Sequence, residues 1–122
     1  GFSAADVKPW LPIPDQHQVL AAAQQQQADT VLQRIKTFLH WRRQQTDLIS
    51  GDNHFLDAPE PILVLMRGNT CCIFNLSNSP QSFTLPAHLS LELLAGHGFS
   101  GSLHKSTVSL PAYEVCFAKV LA

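Results

Sequence analysis

The apolar residues of this chain change their spacing along its length, and the change divides the sequence into three zones. The middle zone, from about Val19 to Asp47, has the spacing of a helix. Residues three or four positions apart lie on the same side of a helix, so the pattern predicts one apolar stripe. Its members are Val31, Leu32, Ile35, Phe38 and Leu39. Asp29-Thr30 is suited to cap this helix, and Thr46-Asp47 and Gly51-Asp52 supply stop and turn residues.

The last zone, from about Asn53 to Ala122, alternates short β-type runs with turn residues. Gly68-Asn69 separates two of these runs by two residues, which is a β-hairpin signal. Short strands at this spacing, with no helical pattern between them, predict an antiparallel β-sandwich. The predicted strands are His54–Leu56, Ile62–Arg67, Thr70–Leu76, Ser82–Leu85, Leu89–Leu94, Val108–Leu110 and Glu114–Val120.

The first zone, from Gly1 to about Asp15, is rich in proline. Pro9, Pro12 and Pro14 exclude a helix there and weaken any strand pairing. Trp10 and Ile13 then need cover from some larger surface. The chain starts with Gly1, without an initiator Met, a basic segment or a hydrophobic segment, so we expect it to be cut from a longer protein.

The three zones together predict a mainly β protein with one long N-terminal α-helix and an antiparallel Greek-key β-sandwich after it. A length of 122 residues allows one domain with its own core but not two. The apolar stripe of the helix must be buried against something. We expect that it packs either on the sandwich or on a segment that precedes this chain.

Charge and hydropathy exclude two classes of partner. The net charge is -1, from 8 Lys and Arg against 9 Asp and Glu, so there is no basic field to attract nucleic acid. The longest apolar runs, such as Ile62–Met66, are much shorter than a membrane span. We therefore predict no nucleic-acid partner and no membrane partner.

The cysteines indicate packing and not chemistry. Cys71 and Cys72 are adjacent in a predicted strand, so their side chains point to opposite faces and cannot join one ordinary site. Together with Cys116 they are predicted to be buried reduced thiols, which fits a cytoplasmic protein. A zinc site would need more ligands at closer, regular spacing.

The histidines and glycines show no catalytic or ligand-binding pattern. The six histidines are His17, His40, His54, His88, His97 and His104. They form no H-x-H or HExxH pair, and there is no G-x-S-x-G elbow. Gly96–Gly101 has no strand-to-helix unit or lysine after it, so we interpret it as a flexible sandwich loop and not as a phosphate-binding loop. We predict no metal and no cofactor for this chain.

Seven of the nine carboxylates are likewise explained without catalysis. Asp29, Asp47 and Asp52 lie at helix ends or turns, and Asp57 and Glu60 flank Pro59 in a solvated loop. Glu92 and Glu114 belong to different strands, and nothing in the sequence brings them together. Trp10 and Trp41 are candidates for sugar stacking, but burial or interdomain packing explains them as well. We predict no catalytic, cofactor-binding or metal-binding residues in this chain.

Six segments, in order, resemble the C-terminal end of bacterial α-glucosidases of glycoside hydrolase family 13, close to oligo-1,6-glucosidases. Pro9–Ile13 is similar to their entry into the last stretch of the barrel. The residues from Val19 to Leu32, and then Ile35–Arg43 and Leu48–Asp52, resemble the lead into the final barrel helix, that helix, and the turn after it. Phe74–Pro80 and Leu110–Val115 resemble a hairpin of the C-terminal sandwich and the entry to its last strand.

The resemblance implies a retaining glycosidase with a (β/α)₈ barrel followed by a C-terminal sandwich. Retention needs two carboxyl groups about 5 Å apart, and the family's catalytic residues all precede the segment present here. Residues 1–50 would then be the barrel exit with its final helix, and residues 51–122 the sandwich. The full enzyme would hydrolyse terminal α-linked glucose from oligosaccharides, while this chain alone would be inactive and structural. Its partner would be the upstream barrel of the same polypeptide, and it would meet the oligosaccharide substrate only through the full-length enzyme.

Two other functions stay open at this point. One is a stand-alone carbohydrate-binding module for α-glucans, although the aromatic residues of the last zone fall mostly at core-like positions. The other is a protein-interaction domain that forms a homodimer through the exposed helix surface. Ala22, Ala28 and Gln45-Thr46 depart from residues common in the family, which leaves the subfamily and the preferred glucoside open.

Overall fold

The computed structural model describes residues 4, 6–14, 16 and 23–121, and within them a short helical part precedes a β domain. Residues 23–26 are helical, helix α1 spans Val31–Arg42 and helix α2 spans Thr46–Ser50. The strands are β1 Asn53–Leu56, β2 Ile62–Arg67, β3 Thr70–Asn75, β4 Gln81–Thr84, β5 Leu91–Leu93, β6 Ser102–His104, β7 Thr107–Leu110 and β8 Val115–Val120.

The strands form two antiparallel sheets. The larger sheet has the order β1-β2-β3-β8-β5, and the smaller has the order β4-β7-β6. Nonconsecutive strands are neighbours in both sheets, as in β3 with β8 and β4 with β7, which is the kind of crossover that a Greek-key sandwich requires. The predicted antiparallel β domain is confirmed, and β6 is a strand that the sequence pattern did not indicate.

The main core lies between the two sheets. Alternate residues of β2, β3 and β8 point toward the smaller sheet, where Val108 and Leu110 of β7 meet them. This core contains Ile62, Val64, Cys71, Ile73, Leu85, Val108, Leu110 and Cys116. The two faces therefore interlock as expected for a sandwich.

The other face of the larger sheet is covered by helix α1. Cys72 and Phe117 point to this side, and Trp41 and Leu48 pack on them from the helical segment. The larger sheet is thus buried on both faces, which explains the nearly continuous burial of β3 and of the first four residues of β8. Of the two expected partners for the helix, the sandwich covers one side of it.

The expected single long helix is not what the described residues show. Helix α1 has 12 residues, and the Asp29 backbone before it has a positive φ of 60°, which is incompatible with a continuing right-handed helix. Thr30 is the N-cap, and its hydroxyl accepts from the Gln33 N–H at 3.3 Å, as predicted for Asp29-Thr30. Thr46-Asp47 does not stop a helix but begins α2.

The predicted hairpin at Gly68-Asn69 is confirmed. Arg67 pairs with Thr70 across a two-residue turn, and Gly68 has a φ of 54°. Two-residue hairpins of the primed types need a positive φ at the first central residue, which glycine supplies without strain.

The described part of the Pro-rich zone, residues 6–14, contains neither a helix nor a strand. The predicted helical pattern around Val19 and the positions of His17 and Asp15 lie outside the described residues. Within the described part of the chain, no helix combines the length and the apolarity that crossing a bilayer demands.

Candidate functional site

Helix α1 meets the larger sheet at a region that we call the helix–sandwich junction. We define it by Phe38 and Trp41 of α1, His97 and Phe99 of the loop 95–101, and Phe117 of β8. The ring centroid of Trp41 lies 5.0 Å from Phe117, 5.2 Å from His97 and 6.0 Å from Phe38. Trp41 is only 6% exposed, so the junction is a second, aromatic core.

The loop 95–101 reaches the helix because of two glycines. Gly96 and Gly98 have φ values of 89° and 84°, in the region that side chains with a Cβ rarely adopt. A Cβ on Gly96 would lie 3.4 Å from Trp41 Cδ1, and one on Gly98 would lie 3.4 Å from Thr37 Cγ2. The glycines therefore let the loop lie against α1, and Gly96–Gly101, which the sequence predicts to be a flexible sandwich loop, is part of the junction.

His97 is the polar centre of the junction and is only 4% exposed. Its Nδ1 accepts from the Phe99 N–H at 3.1 Å, and its Nε2 lies 2.9 Å from the Leu94 carbonyl oxygen. Because a carbonyl only accepts, Nε2 carries the hydrogen and the imidazole is neutral. Burial lowers the pKa of His97 below its ordinary value of 6.5, although the Leu94 carbonyl and the Glu114 carboxylate act in the opposite direction.

An ion pair closes the edge of the junction. Arg34 Nη2 of α1 lies 2.8 Å from Glu114 Oε1, and the Ser100 N–H donates to Glu114 Oε2 at 2.9 Å. Burial alone would raise the pKa of Glu114, but the Ser100 N–H and Arg34 outweigh it and hold that pKa below its ordinary value. The Arg34 guanidinium also lies 5.7 Å from the centre of the Phe99 ring. The carboxylate is thus already engaged with protein groups.

The two tryptophans occupy opposite situations. Trp41 is buried in the junction, as the packing interpretation predicts, and it offers no free face for a sugar. Trp10 is 95% exposed, on the segment 6–14. The cover that its apolar ring was expected to need is not supplied by the described residues.

The remaining histidines and carboxylates that the structure describes do not come together at one site. Clefts of about 360, 510 and 440 Å³ lie on the surface, and Asp29 is the one carboxylate that lines any of the three. Among the described residues, no three His, Cys, Asp or Glu side chains are grouped to hold a metal ion. Asp47 accepts from the Thr70 hydroxyl at 3.1 Å, and its role is therefore local.

The three cysteines are free and buried. Cys71 and Cys116 lie in the core between the sheets and Cys72 in the junction, so the prediction that Cys71 and Cys72 face opposite sides is confirmed. Burial raises the pKa of Cys71 to about 12 and those of Cys72 and Cys116 to about 11. Their sulfur atoms behave as packed apolar groups.

Helix α1 keeps a second apolar side that nothing in the described structure covers. Val31, Ile35 and Leu39 recur every four residues and are 69%, 50% and 46% exposed. The predicted single stripe is therefore divided: Phe38 with Trp41 packs on the sandwich, and these three residues face outward. They form what we call the outer stripe of α1.

Comparisons with known proteins match nearly the whole chain to one part of longer proteins. No family model matches the sequence. A probable α-glucosidase of Rhizobium meliloti (strain 1021) is 35% identical over 125 residues, covering 98% of this chain and 22% of that protein. The crystal structure of the α-glucosyl transfer enzyme XgtA is similar with a TM-score of 0.83 and 31% identity, over 93% of this chain and 22% of its own.

A more distant structure supports the fold alone. The trehalulose synthase MutB from Pseudomonas mesoacidophila MX-45 has a TM-score of 0.75 at 20% identity, over 93% of this chain and 22% of its own. This chain therefore spans about a fifth of the length of the proteins that it matches.

Proposed function

Since the chain is a relative of the α-glucosidases of glycoside hydrolase family 13 and corresponds to their C-terminal part, we propose that it is the C-terminal structural domain of such an enzyme. The parent enzyme would hydrolyse terminal α-linked glucose from oligosaccharides. In this proposal residues 1–50 belong to the exit of its barrel and residues 51–122 form the sandwich.

The observation that carries the proposal is that helix α1 has two apolar sides, one packed on the sandwich and one exposed. One side is buried on the sandwich through Trp41, and the outer stripe of Val31, Ile35 and Leu39 is about half exposed. Full burial of such a side chain contributes about 1.5 to 3 kcal/mol, so covering the exposed fractions of all three contributes roughly 2.5 to 5 kcal/mol. We assign this stripe to the rest of the parent polypeptide, because the chain spans about a fifth of its relatives.

The same assignment accounts for the segment 6–14. It presents Trp10 and Leu11, which are 95% and 65% exposed, without regular structure of its own. An extended segment of this kind is suited to lie across the surface of a larger domain, where its apolar side chains would be covered.

The proposal leaves catalysis to the rest of the parent enzyme. A retaining glycosidase needs two carboxyl groups about 5 Å apart, of which one is free to attack and one to donate a proton. Here Glu114 is bound to Arg34 and Ser100, and Asp47 accepts from Thr70. We also place the parent enzyme in the cytoplasm, in keeping with the three reduced thiols.

The first test is made on the 122-residue chain. We expect no glucose release from maltose, isomaltose or an aryl α-glucoside, and no change in tryptophan emission on titration with maltooligosaccharides. Hydrolysis that disappeared in Asp57→Asn or Glu60→Gln would contradict the proposal. Saturable millimolar binding of maltooligosaccharides would indicate an α-glucan-binding module instead.

The second test compares this chain with a polypeptide extended upstream to the full length of its relatives. Ile35→Gln should leave the stability of the 122-residue chain nearly unchanged but lower the thermal midpoint of the extended polypeptide. Lys36→Gln, at a neighbouring exposed position of α1, is the matched control and should change neither. An equal effect of Ile35→Gln on both proteins would show that nothing upstream covers the outer stripe. A dimer of the 122-residue chain that Ile35→Gln dissociates would assign the stripe to a second copy.

A further inference from the structure

The two ring nitrogens of His97 are committed to opposite roles in holding the loop 95–101 against helix α1. Nδ1 must be unprotonated to accept from the Phe99 N–H, and Nε2 must be protonated to donate to the Leu94 carbonyl. The neutral ring with its hydrogen on Nε2 is the form that satisfies both bonds. The ring is 4% exposed, so water cannot readily replace either partner.

We propose that His97 makes the docking of helix α1 on the sandwich dependent on pH, with the neutral imidazole holding the helix and the imidazolium releasing it. The inference goes beyond the proposed function. It rests on that function at one point, the assumption that α1 joins the sandwich to the rest of the parent enzyme. The docking itself is a property of the 122-residue chain.

Protonation conflicts with the geometry at one atom. A hydrogen on Nδ1 would point at the Phe99 N–H, so that two donors would face each other where a 3.1 Å hydrogen bond now lies. The new positive charge would also be buried, which is costly without a compensating partner. The least costly response is a movement of the loop that brings the ring to water.

The loop contacts helix α1 on both sides of His97. Gly96 and Gly98 flank His97 with positive φ values, and because glycine has no Cβ, the backbone on both sides of the ring can change conformation at little steric cost. Gly96 lies against Trp41 and Gly98 against Thr37. A loop that turns His97 outward therefore loses its contacts with both of these residues of α1.

The charged groups near His97 do not remove the conflict between a hydrogen on Nδ1 and the Phe99 N–H. The Glu114 carboxylate, from the turn before β8, attracts a proton to His97, but Arg34 of α1 lies 2.8 Å from the same carboxylate and offsets much of that attraction. The other side chains whose rings face His97 are Trp41 of α1, Phe99 of the loop and Phe117 of β8. They carry no charge.

The direction of the pH effect follows from the depressed pKa of His97. Docking is fully stable above the ordinary histidine pKa of 6.5 and weakens as the pH falls through the lower pKa of the docked ring. Each unit between the two pKa values weakens the docking equilibrium by about tenfold. Glu114 does not titrate between pH 5 and 8, because its own pKa is lowered from 4.5. The histidine variants described below assign a transition in that window to His97.

The experiment follows the fluorescence of Trp41 in the 122-residue chain carrying Trp10→Phe. The sequence has two tryptophans, so this substitution leaves Trp41 as the only one. Acrylamide quenching of Trp41 should be weak at pH 8 and should rise toward that of N-acetyltryptophanamide between pH 6.5 and 5. Far-UV circular dichroism should retain the β signal over the same range. Quenching that stays unchanged down to pH 5, or that rises only with loss of the β signal, would overturn the proposal.

The matched variant is His97→Asn, whose side-chain oxygen can still accept from the N–H two residues later, as in an Asx-turn, but does not titrate. It should abolish the pH dependence of quenching, whereas His104→Asn on the exposed end of β6 should preserve it. A transition that persists in His97→Asn would refute the role of His97.

A second measurement keeps the proposal testable even if His97→Asn does not fold. Nitrogen-15 NMR of histidine-labelled protein should show His97 as the Nε2–H tautomer at pH 8, with a titration midpoint below 6.5. A midpoint at or above 6.5, or the Nδ1–H tautomer, would contradict it.

Discussion

Replacement of Trp41 by alanine is the most direct test of the helix–sandwich junction. The side chain is 6% exposed and its ring lies within 6.0 Å of Phe38, Phe117 and His97, measured between centroids. Removal of a buried tryptophan costs about 3 to 5 kcal/mol, because the lost transfer free energy is joined by the cost of a cavity. A protein of this length has a total unfolding free energy of roughly 6 to 18 kcal/mol, so the variant should lose a large share of its stability.

Urea unfolding followed by circular dichroism measures the effect without relying on the tryptophan that is removed. With a slope of about 1.5 kcal/mol per molar urea, which lies within the usual range for small domains, the midpoint should fall by about 2 to 3 M. Trp10→Ala is the matched control, since the same residue type is 95% exposed there. It should change the free energy of unfolding by less than about 0.5 kcal/mol.

The comparison of the two variants decides the matter. If Trp41→Ala and Trp10→Ala shifted the urea midpoint equally, the aromatic junction would not stabilise the chain and α1 would not be docked in solution. If Trp41→Ala lost the helical signal but kept the β signal, the junction would hold the helix alone and the sandwich would be stable by itself.

Three further predictions address the thiols, the loop and the ion pair. At pH 8 the three cysteines should react with a thiol reagent about 100- to 1000-fold more slowly in the native protein than in urea. The reason is that their pKa values are raised from 9.0 to between about 11 and 12. Fast labelling of the native protein, read by mass spectrometry, would show that the thiols are accessible. Gly101→Ala should prevent stable folding, since the new Cβ would clash with the Val115 carbonyl oxygen and lie 2.8 Å from Leu110 Cδ2. The control is Ser106→Ala, at the exposed turn between β6 and β7, which should leave the thermal midpoint nearly unchanged. Arg34→Ala should cost only about 0.5 to 1 kcal/mol at pH 7, because its side chain is 47% exposed. This difference from the unsubstituted chain should be present above the ordinary Glu114 pKa of 4.5 and be lost as the pH falls through the lowered one. A difference that persisted after Glu114 had become protonated would assign it to packing on Phe99.

The parts of the fold that depend on neighbouring residues were predictable from the sequence. Thr30 caps α1 through a bond to a residue three positions away, and Gly68 turns a hairpin whose strand β2 has the predicted bounds. Strand β6 was not predictable in the same way. Its three residues contain one apolar side chain, Leu103, and they form a strand because they pair with β7.

The same distinction explains the candidate site. Trp41 could be recognised as a packing residue from the helical pattern, since that pattern gives its place on the helix. His97 could not, because its burial depends on β8 and α1, which are distant in sequence. The Gly-His-Gly order is the one local signal, and it predicts a flexible loop, because glycines by themselves do not show what they lie against.

The division of the α1 stripe has a consequence for how the junction and the outer stripe act together. A helix that buried one narrow stripe on the sandwich would have no reason to carry Val31, Ile35 and Leu39 beside Phe38, because exposed apolar side chains add nothing to the stability of this chain. The sandwich covers only the side of this pattern that carries Phe38 and Trp41, so the other side is open to a second surface. A helix held from both sides transmits a displacement from one to the other, so loosening of the His97 loop should reach whatever covers the outer stripe. If Ile35→Gln and Trp41→Ala had strictly additive effects in the longer polypeptide, the two surfaces would be independent.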